Sequence, residues 1–531
     1  MTARAARSMS VRTPLTIALA WAIVYLPALG SRGLAASEGH RVLPAIEMLR
    51  SGDFVVPRLF GQIYLRKPPG MFWAIAASMS VLGETELAAR FVSAFATLLA
   101  GLACAWFAHR WYAPLAARAP LSRASPALAA GLSFVLMPML WAPGRSAEIE
   151  SLHNLCVLVA SLAILDASLM RNARPRTTIS IALLAFLATA GAVLVKGPAG
   201  VPVLGAAVVG ACAAQRSLVP LRRVSVVPPM LAGLALGAGV ILWCWSRARE
   251  TGEPIVLQGV SEFLWSLPRL GQTLLLPLAA WAMALPMSIA LLFPLAPFAS
   301  RDDLARDESA PARAVAWTIL LALAIYVILG VHNPRYAMPA MCLVPMLVPY
   351  ALLGRTLFMP LRARLATLCT LGSPGAFVGL VLVGAGAHIA IEVHRFRDDR
   401  DPAYTGRPAG LALGESLEQH ARATNNMSDD SPLLIYADHA VEARPEVLWY
   451  ASSVLERAHT PARVRWLPGL ADANDLPAGA VLVLRADSAS PELRARAARD
   501  PDAASHELWR GRVHEFELVA LTTPSAVPSA E

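Results

Sequence analysis

The sequence predicts a polytopic α-helical membrane protein ending in a small water-facing α/β domain, and three observations lead there. Of its 531 residues, 56% are hydrophobic and only 16% charged, against about 25% charged in an ordinary soluble protein. Apolar runs such as Thr13 to Gly30, Phe91 to Phe107 and Phe377 to Ile391 recur along the chain, and they approach the roughly 20 residues a helix needs to cross a bilayer. From about Arg395 onward, Asp, Arg, Pro and Gly replace those runs. Residues 1–394 therefore read as the membrane part and 395–531 as a soluble domain.

The net charge of +9 does not point to nucleic acid, because a nucleic-acid-binding domain gathers its basic residues on one face. Here the arginines sit in short loops between apolar runs, where Lys and Arg resist translocation and set topology. Arg4, Arg7 and Arg12 precede the first run and place the N-terminus in the cytoplasm. Leu34-Ala35-Ala36-Ser37 is weakly like a cleavage site, but the preceding apolar stretch is longer than the roughly 7 to 15 residues of a signal-peptide core. The same rule puts Arg110, Arg118 and Arg123 inside, then Arg171, Arg174 and Arg176, then Arg216, Arg222 and Arg223, then Arg301, Arg306 and Arg313, then Arg355, Arg362 and Arg364. About 11 to 13 crossings satisfy this pattern and leave the C-terminal domain outside.

Met71 to Gly83 is too short for a comfortable span and reads as an interfacial helix. In the tail, Leu433 to Tyr436, Val447 to Tyr450, Val464 to Leu467, Ala480 to Leu484 and Phe516 to Leu521 read as strands. Leu411 to Ala423 and Glu492 to Arg499 have helix-forming composition. The six cysteines, Cys104, Cys156, Cys212, Cys244, Cys342 and Cys369, lie in or beside apolar runs with no CxxC pair, so they read as packing residues.

The chemistry-bearing residues fall in the loops assigned to the outer face. The first of these, 31–70, holds Glu38, His40, Arg41, Glu47, Asp53 and Lys67, and Val42 to Arg50 reads as a short surface helix with Val42, Ile46 and Leu49 turned toward lipid or protein. Later loops add Arg145, Glu148 and Glu150, then Lys196, then His332, Arg335 and Tyr336. Any single Lys or Arg at a helix end is explained by snorkelling to the interface. Carboxylates and cations converging on one face are the combination that activates a hydroxyl and holds a phosphate. A divalent metal bridging the carboxylates is conceivable, but no ligand cluster compels it.

In order and type these residues resemble the GT-C superfamily of membrane glycosyltransferases, which includes protein O-mannosyltransferases and lipid A aminoarabinose transferases. Glu38 followed by Glu47-Met48-Leu49, Ser51-Gly52-Asp53, Val56-Pro57 and Lys67-Pro68-Pro69 resembles that family's first periplasmic loop. Arg145 to Glu150 is similar to its second acidic loop, Leu194-Val195-Lys196-Gly197-Pro198 to its lysine-glycine turn, and Arg335-Tyr336 with Pro339 to its late arginine-tyrosine motif. The chain departs from the family in two places: Ser37-Glu38 stands where relatives carry Asp-Glu, and His40-Arg41 where they carry Arg-Tyr. Glu262 and Arg269 follow Trp245 where the family has an acidic and a basic residue.

The resemblance implies an inverting glycosyltransferase of the bacterial inner membrane. It would move a sugar from a polyprenyl-phosphate donor to a lipid, glycan or protein acceptor on the periplasmic side. It implies Glu38 as the base that takes the acceptor's proton and Glu150 as a second carboxylate. Lys67, Arg335 and Lys196 would neutralise the departing phosphate, with His40, Arg41, Arg145, Glu148, Tyr336, Glu262 and Arg269 in support. Two other classes stay open: a lipid or solute transporter, disfavoured because the charges gather at one face and not at the midplane, and a non-catalytic scaffold whose outer domain binds a partner.

Overall fold

The computed structural model describes residues 9–35, 37–116, 125–170, 175–253, 255–256, 270–292, 303–353, 407–423, 433–437, 445–460, 462–466, 480–485, 507–513 and 516–522. The first part is a helical bundle: α1 (Arg12–Tyr25), α2 (Gly39–Ser51), α3 (Gly70–Leu82), α4 (Glu86–Ala116), α5 (Pro126–Val135), α6 (Trp141–Gly144), α7 (Ile149–Leu169), α8 (Pro175–Lys196) and α9 (Val201–Gln215). It continues through α10 (Val219–Arg222), α11 (Val227–Glu250), α12 (Leu270–Met283), α13 (Asp303–Ile328), α14 (Met338–Met341) and α15 (Leu347–Leu353).

Among the described residues, five stretches are long and apolar enough to span a bilayer: Glu86–Pro114, Ile149–Leu169, Pro175–Gln215, Val227–Glu250 and Ser309–Ile328. The pair Pro126–Val135 and Pro138–Gly144, bent by 50°, makes a sixth if counted together. The apolar run Phe377 to Ile391 lies outside the described residues. The expected short helix at Met71 is α3, whose 13 residues extend about 20 Å, less than the roughly 30 Å hydrocarbon core.

Burial grades across the bundle in the way a lipid solvent dictates. Helix α7 is central, with 72% of its apolar window buried, whereas α11 has 17% and exposes Leu231, Leu236, Leu242 and Trp243. Exposed apolar side chains recur on α8 (Ile179, Leu183, Leu187) and α12 (Leu274, Leu275, Leu278). In water such surface would have to be covered by a partner; in a bilayer it meets acyl chains. With apolar groups on both sides, the helices are held by close approach more than by hydrophobic segregation. Small residues supply that approach: Gly210 of α9 rests on Ala314 and Thr318 of α13, and Gly233 and Gly237 of α11 rest on Phe186, Ala190 and Val193 of α8. The chain is a multi-pass membrane protein.

A second, smaller core sits at one end of the bundle. Val42, Ile46, Met71, Phe72, Ala147, Ile149 and Val195 pack together there, joining α2, α3, the start of α7 and the end of α8. Two short strands, β1 (Arg58–Leu59) and β2 (Gln62–Tyr64), form a hairpin turned by Phe60 and Gly61, whose φ values are 50° and 78°. Glu47 of α2 accepts from the backbone N–H of Phe60 and of Gly61, which fixes that turn to the helix. β2 pairs in parallel with β3 (Ile255–Val256), and Arg58 grips Glu253 through both carboxylate oxygens.

The C-terminal unit is a five-stranded mixed sheet in the order β5-β4-β6-β8-β7, made of β4 (Leu433–Ala437), β5 (Ala462–Trp466), β6 (Val481–Arg485), β7 (Glu507–Val513) and β8 (Phe516–Thr522). It packs with α16 (Arg407–Ala423) and α17 (Glu446–Arg457), whose Leu413, Leu417, Leu448 and Leu455 share a core with Ile435, Val483 and Leu518. The strand expected at Val447 to Tyr450 is instead part of α17. Glu446, Val447, Leu448, Tyr450, Ala451, Val454 and Leu455 are the buried positions, a face that recurs at helical spacing and that the four-residue apolar run alone conceals. The helix expected at Glu492 to Arg499 lies outside the described residues.

Candidate functional site

The candidate site lies on the second core, where α2, α4, α7 and α8 bring their charged ends together. Glu38 caps the start of α2 and is almost fully buried (1% exposed) against Arg90 of α4 (0%). Every acceptor position of the carboxylate is used. Its Oε1 accepts from Arg90 Nε and from the backbone N–H of Ala147, both at 2.8 Å. Its Oε2 accepts from Arg90 Nη2 at 2.8 Å and from the N–H of Ala35 at 2.9 Å. The remaining donors of Arg90 go to the carbonyls of Leu29, Arg32 and Gly33 at 2.7–3.1 Å, so all five guanidinium donors are matched. Burial pushes the Glu38 carboxyl up, but the charge and hydrogen bonds of Arg90 with the Ala147 N–H outweigh it and lower it to about 2. The four donors leave the Glu38 carboxylate held on both oxygens, the setting against which the proton-accepting role expected of it has to be judged.

Next to it, Ser37 donates a short hydrogen bond to Oε1 of Glu148. Glu148 is half-buried at the entrance to α7. Burial pushes its carboxyl above the usual carboxylate value, with Glu150 and Glu38 adding to the rise and Arg41 and the Ser37 hydrogen bond opposing it. Arg41 is itself buried, with its Nε unpartnered and one Nη reaching only the carbonyl of His40 at 3.4 Å.

In the first turn of α7, Glu150 faces Lys196, the last residue of α8, at 3.3 Å, both side chains under 10% exposed. Lys196 Nζ also lies 4.7 Å from the centre of the Tyr336 ring, a cation–π distance. Arg335 is exposed beside Tyr336 and close enough for its charge to act on Glu150. The second oxygen of Glu150 and both ring nitrogens of buried His153 have no hydrogen-bond partner. Gly197, at φ 63°, makes the turn that ends α8 behind Lys196.

Lys67 lies in the turn between β2 and α3, and a Cβ on Gly70 would stand 2.7 Å from the Leu194 carbonyl. That contact seats the turn carrying Lys67 beside the end of α8, two residues short of Lys196. His40 and Tyr64 face each other with ring centres 6.0 Å apart. Arg145 does a structural job: its guanidinium donates to the carbonyls of Val24, Tyr25 and Pro27 and so closes the C-terminal end of α1. Glu262 and Arg269 lie outside the described residues. Among the described residues, no group of three or more His, Cys, Asp or Glu side chains is arranged to hold a metal.

Three residues escaped the sequence reading. Arg90 carried a signal, because a lone arginine in an apolar helix requires a buried partner. Ser37 was visible only as a missing acid, since its partner is 111 positions away. His153 sits on an apolar face where a histidine ordinarily signals packing alone.

No protein-family model matches the chain. It is 28% identical over 244 residues to the undecaprenyl phosphate-alpha-4-amino-4-deoxy-L-arabinose arabinosyl transferase of Aeromonas salmonicida, covering 46% of this chain and 41% of that one. The protein of the same description from Yersinia enterocolitica is 39% identical over 93 residues, 17% of each chain. The match thus spans less than half the length of these curated relatives. Across nearly the whole chain the fold agrees with the crystal structure of ArnT from Cupriavidus metallidurans bound to undecaprenyl phosphate: TM-score 0.63, 17% identity, 95% of this chain and 97% of that one covered. The chain thus shares the fold of that membrane transferase over nearly its whole length and is similar in sequence to part of these arabinosyl transferases.

Proposed function

We propose that the protein is an inverting glycosyltransferase that takes a sugar from a polyprenyl-phosphate donor, the donor named for its relatives being undecaprenyl-phosphate aminoarabinose, and passes it to a lipid, glycan or protein acceptor. The observation that carries this reading is the meeting of Lys196, Arg335, Arg41 and the Lys67 turn with two incompletely satisfied carboxylates at one end of a lipid-facing bundle. A polyprenyl tail reaches such a site sideways through the bilayer, and its phosphate stops at the level of the cations.

In the reaction the bond between C1 of the sugar and the phosphate oxygen breaks, and the phosphate leaves with one more negative charge. Lys67, Lys196 and Arg335 stabilise that charge as it develops. Glu150 holds Lys196 and the Tyr336 ring covers its ammonium, so the cation is fixed before the donor arrives. Glu38 is a positioning residue: with Arg90 it ties the loop around Ser37 to α4 and to the start of α7. Orientation follows from the charge pattern. Arg110 and Arg223 pack at the opposite end of α7, around Asp166, Ala167 and Met170, and Arg313 caps the end of α9, as cytoplasmic arginines would. The candidate site, the C-terminal residues 395–531 and the loop 31–70 then face the periplasm of the inner membrane, with the N-terminus in the cytoplasm.

The test is release of polyprenyl phosphate from radiolabelled polyprenyl-phosphate sugars by the purified full chain in nanodiscs with membrane extract as acceptor. Release by the wild type, with a drop of about 100-fold in Lys196→Ala, is expected. No release from any donor, together with movement of the lipid between leaflets, would sink the reading in favour of a transporter.

A further inference from the structure

We infer that Glu148 is the group that takes the acceptor's proton, that Ser37 holds it for that task, and that the acceptor nucleophile is a neutral hydroxyl. The inference rests on the transferase reading above and assigns a job inside the same site.

Three carboxylates meet at this end of the bundle, and their surroundings divide the roles. Glu38 has four donors on its four acceptor positions, two of them from a matched guanidinium, so protonating it would break a buried ion pair. Glu150 is under 10% exposed and bound to Lys196, so it serves the cation. Glu148 is half-buried, one oxygen is held by the Ser37 hydroxyl, and its other oxygen accepts from no described residue. It alone among the three combines a fixed orientation, access and spare acceptor capacity, the geometric requirements of a general base. The charged groups around it are Glu150, Glu38 and Arg41. The two acids raise its proton affinity, and Arg41 opposes that rise.

Ser37 gives this arrangement its meaning. A serine next to Glu38 reaches across to the second acidic loop and holds the carboxylate there, so the acid absent at position 37 is supplied from position 148. The step balances as follows. The acceptor oxygen attacks C1 and its O–H bond breaks, the proton passing to the free oxygen of Glu148. The C1–O bond to the phosphate breaks with its electron pair and leaves polyprenyl phosphate. Glu148 then returns the proton to water. A phosphate acceptor is already anionic and would gain nothing from a base, so a carboxylate in this position selects for a hydroxyl.

The experiment uses the full chain in nanodiscs, sugar-labelled polyprenyl-phosphate donors and membrane extract. Glu148→Gln should lose at least about 100-fold in turnover while still binding undecaprenyl phosphate as the wild type does. Ser37→Ala should move the acidic limb of the turnover profile to higher pH, because the hydrogen bond it removes favours the ionised carboxylate. The double variant Ser37→Asp with Glu148→Gln, which moves the acid back across the pair, should recover about tenfold or more over Glu148→Gln alone. Turnover within about threefold of wild type in Glu148→Gln overturns the inference and leaves the transferase reading standing. An unshifted pH limb in Ser37→Ala also overturns it, and does not depend on Glu148→Gln folding. Absence of release by the wild type with every donor overturns both.

Discussion

Helix α7 carries buried carboxylates at both ends, and the two ends are finished differently. At one end Asp166 is fully buried and accepts from Arg110 Nε at 2.6 Å and Trp111 Nε1 at 2.9 Å, while Arg223 donates to the carbonyls of Ala167 and Met170. The helix-end carbonyls are matched there, while both donors to Asp166 meet its Oδ1 and its Oδ2 is left without a partner. About 24 Å away along the axis, Glu150 keeps an unpartnered oxygen and His153 two unpartnered nitrogens. A buried polar group without a partner costs about 1–3 kcal/mol. The Glu150 end thus retains several such groups, and Asp166 contributes one at the other. The difference separates the two ends of a helix whose composition is much the same throughout, and the proposed function is placed at the first of them.

Breaking the matched pairs should cost stability, and the largest loss is expected at Arg90→Met. It removes five donors and strands Glu38 in the core, a loss of about 3–5 kcal/mol by analogy with other broken buried pairs. The variant should fail to give a monodisperse peak in detergent, and a normal melting profile would refute the matched-pair account. Glu38→Gln should cost less, about 1.5–3 kcal/mol at neutral pH. Its deficit carries a pH signature. The folded carboxyl lies near 2, below its ordinary 4.5, so the stabilisation is complete above pH 4.5 and fades as pH falls through about 2. The gap in melting temperature between wild type and Glu38→Gln should therefore close on acidification.

Asp166→Asn tests the other end of α7. It keeps the shape and one acceptor oxygen, so a loss of about 1–2 kcal/mol is expected, with turnover per folded molecule unchanged; a fall in turnover would mean that the two ends communicate. The smallest effect belongs to Arg50, which bridges Glu84 and Glu456 on the surface at 2.9 and 2.7 Å with about half its side chain exposed. Arg50→Ala should change stability by less than about 1 kcal/mol and respond to salt.

The bundle and the neighbourhood of the site could be read from the sequence because each depends on local signals: apolar runs, arginine placement, and short motifs in order. Lys67, Lys196 and Glu150 became candidates that way. The pairings of the carboxylates could not be read, because they join Glu38 to Arg90, 52 positions apart, and Ser37 to Glu148, 111 apart. The serine that stands where relatives carry an acid has its partner, Glu148, in a different loop. Val447 to Tyr450 was misread for the opposite reason. A four-residue apolar stretch fits either period, and only the burial of Val454 and Leu455 one turn later decides for a helix.

One contact sets an order of events during synthesis. The hydroxyl of Tyr450 accepts from the backbone N–H of Leu34 and donates to Glu86, closing the loop that holds Ser37 and Glu38 with a side chain made 416 residues later. At about 5–20 residues per second the ribosome needs roughly 20–80 s to cover that interval. Throughout it the bundle can insert while the loop waits unlatched. A chain interrupted before Tyr450 would thus occupy the membrane with that loop still unlatched.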